Sequence, residues 1–404
     1  MSRGQNSHPY LVLFGLWLMV FSASSQVIII SPILPRIGEA LAVPEARLGW
    51  LITSYAVMLS VFALIVGPIS DRVGRRRVLL VGCGCMALAL GLHTVADSFT
   101  SLLVVRGAAG AAGGMLTGGA VSYVGDYFPY ERRGWANGWV MSGIAVGQIV
   151  GIPVGTILAD QFSFRAAFLM FAATMAAATV LMFFFVPQPD VKRSQSPLTI
   201  QGYLKSYGDL LKDKSIVSAT IVYFLMFFGI GIYVIYLPTW LENELSVSGS
   251  AIASLFLVGG IVNVVTGPLA GRVSDSVGRK PLIIVSCTGL AGTMLLTTVL
   301  VHSMFVAYLV FGLIMVTISM RISPLQSLMT ELVDADRRGA LMSLAVSFGQ
   351  VGIGIGGGIA GIAFTQYGFA SNTVIGAISI FLMALMVIFF LPEPERRIET
   401  SATD

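Results

Sequence analysis

Two segments of the chain carry nearly the same short pattern, GPISDRVGRR at residues 67–76 and GRVSDSVGRK at residues 271–280. In both, an aspartate follows the first glycine by four residues, a second glycine follows by three more, and two basic residues come next. The two copies are offset by 204 residues. An internal repeat of this kind predicts that the chain consists of two structurally equivalent parts.

A second pair of matching segments lies further along the chain at an offset of 205 residues. It begins at Asp126 in the first copy and at Glu331 in the second. Each acid is followed by an acid, two arginines and a glycine, at residues 131–134 and 336–339. The match continues into the next helix, where Gly147 and Gly151 align with Gly352 and Gly356. Two separate matches at nearly one offset divide the chain into two halves.

Composition indicates that lipid is the main solvent of the chain. Of its 404 residues, 56% are hydrophobic and 11% are charged, whereas a soluble domain has about 25% charged residues. The mean hydropathy is +0.86. Because a spanning helix needs about 20 apolar residues, the chain has room for twelve spans with short loops. The first apolar run, which begins near Tyr10, is predicted to be a retained span.

The apolar runs between charge clusters predict an all-α membrane protein with twelve transmembrane helices. Six spans per half give both halves the same orientation, with a central cavity between two pseudo-symmetric six-helix bundles. The predicted division is an N-terminal half at 1–186, a cytoplasmic linker at 187–214 and a C-terminal half at 215–404. The predicted spans are 10–35, 47–70, 77–96, 100–125, 133–159, 164–186, 215–240, 250–271, 281–300, 304–332, 338–366 and 371–391.

The distribution of basic residues predicts that both termini face the cytoplasm. With that orientation, nineteen of the 24 Lys and Arg residues lie in cytoplasmic segments, as the excess of positive charge in cytoplasmic loops requires. Only Arg36, Arg47 and Arg165 fall on the outer side, and Arg106 and Arg321 lie within spans. The predicted location is the cell (inner) membrane, with the lipid bilayer as the surrounding partner.

These motifs resemble those of the major facilitator superfamily, and the resemblance covers essentially the whole chain. The segment from Gly67 to Arg76 resembles the signature loop after the family's second helix, and Arg106-Gly-Ala-Ala-Gly110 resembles its fourth-helix motif without the usual Gln. Gly138, Gly147 and Gly151 have the spacing of the fifth-helix motif of exporters. In place of the usual adjacent Gly-Pro, the chain has Gly151-Ile-Pro153. This variant resembles the drug:proton antiporter and sugar-efflux (arabinose-efflux-like) group.

The resemblance implies a set of gating contacts on the cytoplasmic side. Asp71 would engage the N-terminal end of span eleven, where the helix dipole favours a carboxylate, and Arg75 would pair with Asp126. The repeat implies a matching set in the second half, formed by Asp275, Arg279 and Glu331. Contacts that form in one state and break in the other bias the equilibrium between the two states.

Glycines mark the predicted hinge helices. The stripe on span five consists of Gly143, Gly147, Gly151 and Gly155, and its four-residue period permits close helix approach. Pro153 predicts a kink in the same span. Span eleven carries Gly352 and Gly356. By resemblance, spans five and eleven lie where the halves meet, so these glycines are predicted to let the halves rock.

Polar residues inside spans are the candidates for substrate binding. A buried arginine costs about 2.5–3.5 kcal/mol at the bilayer centre, so Arg106 and Arg321 are expected to face a cavity or a partner. The resemblance implies that spans one, four, seven and ten line that cavity. Gln26, Tyr233 and Asn263 are weaker candidates, since packing explains each of them equally well. All 20 acids lie in loops or near helix ends, which favours an anionic or neutral polar substrate.

The sequence therefore predicts a secondary transporter and not an enzyme. The leading hypothesis is proton-coupled efflux of a small polar or amphipathic solute, and the alternative is an organic-anion exchanger or importer that uses Arg106 and Arg321. No cofactor or metal site is expected, because the three cysteines and three histidines have no ligand spacing. The expected partners are the solute, protons and lipid, without nucleic acid, and the expected state is a monomer.

Overall fold

The computed structural model describes residues 9–189, 207–333 and 338–391. Within them, twelve helical segments are long and apolar enough to cross a membrane, which confirms the predicted fold class. The spans consist of the following helices: α1, Pro9–Ile28 and Ile30–Leu41; α2, Trp50–Val73, preceded by the short helix Glu45–Leu48; α3, Arg75–Leu92; α4, Phe99–Leu116 and Gly119–Tyr127; α5, Tyr130–Val146, the π-helical Gly147–Gly151 and Ile152–Gln161; α6, Phe164–Phe185; α7, Lys214–Val234 and Leu237–Leu245; α8, Gly249–Val277; α9, Arg279–Leu300; α10, Met304–Glu331; α11, Arg338–Tyr367; and α12, Phe369–Phe390.

The outer surface of the bundle is apolar. Leu88, Val104, Phe184 and Phe305 are each about 70% exposed on different helices, at 70%, 67%, 69% and 71%. A water-soluble protein rarely exposes so many large apolar side chains together. In a bilayer they contact lipid tails, and the helices satisfy their own backbone hydrogen bonds.

The repeated glycines occupy the same conformation in both halves. Gly74, between α2 and α3, has φ 107°, and Gly278, between α8 and α9, has φ 104°. Side chains with a Cβ rarely adopt this region. The backbone N–H of Gly74 donates to the Ser70 carbonyl and that of Gly278 to the Ser274 carbonyl, both over 3.0 Å. The second glycine of each sequence copy is therefore required by the tight connection between two helices.

Helix packing also repeats between the two halves. In the N-terminal half, α1 packs on α5 and α6, α2 on α4, and α3 on α4 and α6. In the C-terminal half, α7 packs on α11 and α12, α8 on α10, and α9 on α10 and α12. The boundaries at 1–186, 187–214 and 215–404 stay a prediction, and residues 190–206 of the proposed linker lie outside the described part of the chain.

The two halves contact each other through α2 with α11, α5 with α8, and the ends of α1 and α7. We call the end of the bundle that contains Gly74 and Gly278 the loop end, and the opposite end the far end. At the far end, the backbones of α2 and α11 approach closely, since a Cβ on Gly49 would lie 1.9 Å from the carbonyl oxygen of Gly357. The Ser31 hydroxyl on α1 donates to the Val234 carbonyl on α7 over 2.8 Å. The halves are therefore closed against each other at the far end.

Candidate functional site

A cavity of about 260 Å³ lies between the two halves. Its wall comes from α1, α2, α4 and α5 of one half and from α7, α8, α10 and α11 of the other, and most of the lining side chains are apolar. Among the described residues that line it, Arg106 is the one charged residue. The polar lining residues are Ser31, Tyr55, Arg106, Gln148, Asn263 and Gln350. This arrangement fits a small solute with an apolar body and few polar groups.

Neighbouring side chains hold Arg106 in the cavity wall. Its Nη1 donates to Oε1 of Gln26 over 3.0 Å, and its guanidinium lies 4.6 Å above the centre of the Tyr55 ring. Gln26 in turn donates from Nε2 to the Tyr55 hydroxyl over 2.9 Å. The Arg106 Nε has no hydrogen-bond partner among the described residues. Because this Nε is buried and the residue is 1% exposed, an acceptor group on a solute would meet the guanidinium through its terminal nitrogens at the cavity wall.

The other candidate residues of the sequence lie in different surroundings. Asn263 lines the cavity. Gln26 is fully buried, and it positions Arg106 by accepting a hydrogen bond from the guanidinium. Tyr233 is fully buried in the C-terminal half, where its hydroxyl lies 2.9 Å from that of Thr297, and it is not part of the cavity wall. Of this group, Asn263 is therefore the one that a solute in the cavity would meet directly.

Arg321 lies away from the cavity wall. Its side chain is fully buried next to the thiol of Cys287 on α9. None of its three guanidinium nitrogens has a hydrogen-bond partner of normal geometry among the described residues. The structure therefore separates the two membrane arginines, and only Arg106 is at the cavity.

The two halves share a polar contact that the sequence does not predict. Asn263 on α8 donates from Nδ2 to Oε1 of Gln148 on α5 over 2.8 Å, and Asn263 Oδ1 accepts from the Ser319 hydroxyl on α10. Gln148 lies in the π-helical segment Gly147–Gly151. It is a polar residue between two glycines of the predicted hinge stripe, and this position was the signal that could have identified it.

The glycine stripe of α5 faces its own half rather than the other one. A Cβ on Gly147 or Gly151 would lie 2.5 Å from Ser25 Oγ on α1, and one on Gly143 would lie 2.8 Å from the Trp17 carbonyl oxygen. A Cβ on Gly155 would lie 3.0 Å from Ile29. These glycines therefore allow α5 to pack closely on α1, while α5 itself lies where the halves meet, against α8.

Two of the glycines of α11, Gly352 and Gly356, also face their own half, whereas Gly354 and Gly357 face α2 of the other half. A Cβ on Gly352 would lie 2.5 Å from the Phe224 carbonyl oxygen on α7, and one on Gly356 would lie 2.8 Å from that of Phe228. Pro153 is the second residue of the helix Ile152–Gln161, which follows the π-helical segment of α5. The hinge role of these glycines and of Pro153 stays a prediction.

At the loop end, each half contains one of the expected ion pairs. Arg75 Nε donates to Oδ2 of Asp126 over 2.5 Å, and Arg279 pairs with Glu331. The side chains of Asp71 and Asp275 lie outside the described part of the structure. Both described pairs hold the α2–α3 or α8–α9 connection to the end of α4 or α10 in the same half.

At the far end, an ionic cluster joins the two halves. Arg36 of α1 lies 2.7 Å from Asp160 at the end of α5 and 3.4 Å from Glu242 at the end of α7. Glu39 lies 3.4 Å from the same guanidinium. One cation therefore faces three carboxylates from both halves, and the closed far end concentrates negative charge there.

The Major Facilitator Superfamily model matches residues 16–244 and 219–404. The uncharacterized MFS-type transporter YceJ of Bacillus subtilis (strain 168) is 26% identical over 92% of this chain and 94% of its own length. The multidrug resistance protein MdtG of Yersinia enterocolitica is 25% identical over 92% and 91%.

Solved transporter structures have the same fold. The D-xylose-proton symporter superposes with a TM-score of 0.80 at 18% identity, covering 95% of this chain and 98% of that protein. The human organic anion transporter MFSD10 gives a TM-score of 0.71 at 17% identity, covering 94% and 99%. At such low identity these structures support the fold alone. Together with the family match over nearly the whole sequence, they show that the chain belongs to the Major Facilitator Superfamily and is a membrane transporter rather than an enzyme.

Proposed function

We propose that this transporter exports a small amphipathic solute from the cytoplasm in exchange for protons, by alternating access. The observation that carries the proposal is the apolar cavity between the halves, with the single guanidinium of Arg106 in its wall. The relative described as a multidrug resistance protein supports efflux. The same relative favours efflux over the alternative function, which is the exchange or import of organic anions.

The charges of the cavity favour a neutral or singly anionic solute over a cation. No carboxylate is among its lining residues, and no described carboxylate forms an ion pair with Arg106. In a site with few polar groups, a like charge is repelled strongly because screening is weak. A solute that offers an acceptor oxygen to Arg106 gains a charge-assisted hydrogen bond.

The closed far end suggests which state of the transport cycle the structure represents. With the predicted orientation, the far end faces outward and the loop end faces the cytoplasm, so the cavity would load from the cytoplasm. We assign the gating role at the loop end to Asp71, Arg75 and Asp126 and to their counterparts in the second half, the residues Asp275, Arg279 and Glu331. Their contacts would rearrange when the halves rock to open the far end.

The cluster at Arg36 offers a route to proton coupling. Closing the far end brings Asp160, Glu39 and Glu242 around one guanidinium, which leaves excess negative charge in a partly buried place. A proton on Glu242, whose side chain is the least exposed of the three at 13%, relieves the repulsion, so its protonation favours the closed far end. In an exchange cycle, this is the step that returns the empty carrier to the cytoplasm-facing state.

Replacing Glu242 by glutamine should uncouple transport from protons. Glu242→Gln resembles the protonated acid at all pH values, so the carrier should close its far end without a proton. We expect loss of solute movement driven by a pH gradient, while exchange of labelled for unlabelled solute across proteoliposomes continues. Glu244→Gln, an exposed position on the same helix, should behave like the wild type. Equal loss of both activities in Glu242→Gln would contradict a coupling role.

Transport in proteoliposomes with an imposed pH gradient tests the proposed function. Radiolabelled chloramphenicol, benzoate and tetraphenylphosphonium represent neutral, anionic and cationic amphipathic solutes. We expect movement of the neutral or the anionic probe against the proton gradient, and collapse of this movement when a protonophore is added. Movement of the cation alone, or of none of the three probes, would contradict the proposal.

A further inference from the structure

The contact between Gln148 and Asn263 is a hydrogen-bonded link between the halves at the cavity wall. Both amides line the cavity. Asn263 Nδ2 donates to Gln148 Oε1 over 2.8 Å, and the Ser319 hydroxyl donates to Asn263 Oδ1. Three helices, α5, α8 and α10, thus fix one small polar network in a wall that is otherwise largely apolar.

The local backbone is shaped to bring Gln148 to this position. The segment Gly147–Gly151 is π-helical, and such short π segments within α-helices are frequent at functional sites. On the facing helix, Gly260 lies directly against Gln148, where a Cβ would be 3.1 Å from the Gln148 carbonyl carbon. The absence of a side chain at Gly260 permits α8 to approach this turn.

In this network each amide oxygen already accepts a hydrogen bond, whereas amide N–H groups remain unused. Gln148 Oε1 and Asn263 Oδ1 each accept one hydrogen bond. Both N–H groups of Gln148 Nε2 and the second N–H group of Asn263 have no acceptor among the described residues. An N–H group without an acceptor is energetically unfavourable in an apolar wall. An acceptor oxygen on the solute that hydrogen-bonds to it therefore strengthens binding.

We propose that Gln148, Asn263 and Ser319 form a second polar subsite, which binds a hydrogen-bond-accepting oxygen on the uncharged part of the solute. The carbonyl of an amide or ester, an ether and a hydroxyl are suitable groups. Gln148 and Asn263 contact the oxygen, and Ser319 orients Asn263. The subsite rests on the proposed function, since it requires that the solute occupies this cavity. It is separate from Arg106, which binds the anionic or most polar end.

Affinity measurements on leucine variants test the subsite. Thermal unfolding of the purified full-length protein is followed while chloramphenicol, a neutral probe with an amide carbonyl, or benzoate, a simple anion, is titrated. In Gln148→Leu and Asn263→Leu we expect the dissociation constant for chloramphenicol to rise about tenfold, because each variant loses one to two hydrogen bonds to the solute. The constant for benzoate should change by less than about threefold. Gln161→Leu, an exposed glutamine on the same helix, should match the wild type.

The outcomes separate this proposal from the proposed function. If the wild type binds chloramphenicol and both leucine variants bind it equally well, the subsite is wrong and the transport proposal stands. If the wild type binds neither probe, the proposed function and the subsite both fail.

A second measurement does not depend on how well the leucine variants fold. Gln148→Cys, in a chain in which the exposed Cys85 is replaced by serine, is labelled with N-ethylmaleimide at a chloramphenicol concentration that saturates this more weakly binding variant. Chloramphenicol should slow the labelling at least about fivefold if its oxygen lies at Gln148, in line with occupancy of the site. Labelling at the same rate with and without chloramphenicol would overturn the subsite.

Discussion

Arg106→Ala should weaken the binding of benzoate by about 100-fold and abolish its transport. The guanidinium is the one charge at the cavity wall, and a hydrogen bond to a charged group is worth about 1.5–3 kcal/mol, which corresponds to about 10- to 150-fold in affinity. Removing it also releases the Gln26 amide and the Tyr55 ring that now hold it. Thermal unfolding with and without benzoate gives the dissociation constant, and proteoliposome uptake gives the transport rate.

Two variants control for folding and for charge alone. Arg106→Lys keeps the positive charge but cannot both stack on Tyr55 and reach Gln26, because an ammonium lacks the planar fork of a guanidinium. We therefore expect only partial recovery of benzoate binding. Arg165→Ala removes an arginine at the far end that pairs with Asp97 over 2.9 Å, and its benzoate affinity should equal that of the wild type. Unchanged benzoate affinity in folded Arg106→Ala would refute the role of this residue.

The two arginines show what sequence can and cannot predict for this site. Hydropathy places both in spans, and the cost of burying a guanidinium correctly predicts that each lies inside the protein. Which side of the helix faces the cavity depends on how that helix packs on its neighbours. Arg106 forms part of the cavity wall, whereas Arg321 lies against α9 and Cys287. One-dimensional periodicity gives no information about that choice when the helix is apolar on all sides.

For the glycines, too, the sequence predicts local conformation but not the packing partner. The repeat predicts the connection glycines Gly74 and Gly278 correctly, because a positive φ is a local property of the chain. The four-residue stripe on α5 predicts close helix packing, which is present, but not the partner, which is α1. The sequence does not predict the role of Gln148, because that role depends on a π-helical turn and on Asn263, which is 115 residues away in sequence. Local signals were thus sufficient for the fold, while the site depends on contacts between distant helices.

The second large effect is expected at the contact between α2 and α11, where Gly49→Ala should favour opening of the far end. The added Cβ would lie 1.9 Å from the carbonyl oxygen and 2.7 Å from the carbonyl carbon of Gly357. Backbone atoms cannot rotate out of the way, so the two helices must separate there. Overpacking of this kind costs about 1–3 kcal/mol, enough to shift a two-state equilibrium by about 5- to 150-fold.

Distances between spin labels at the far end measure that shift. Labels on Ala40→Cys and Glu244→Cys, two exposed positions, in the Cys85→Ser chain, report the separation of the α1 and α7 ends. Gly49→Ala should add or enlarge a long-distance population and slow transport by at least about fivefold. Gly138→Ala is the matched control, since a Cβ there meets nothing within 4 Å, and it should keep the wild-type distribution. If Gly49→Ala leaves both the distances and the transport rate unchanged, the α2–α11 contact does not hold the far end closed, and the cluster at Arg36 would have to close it without help from α2.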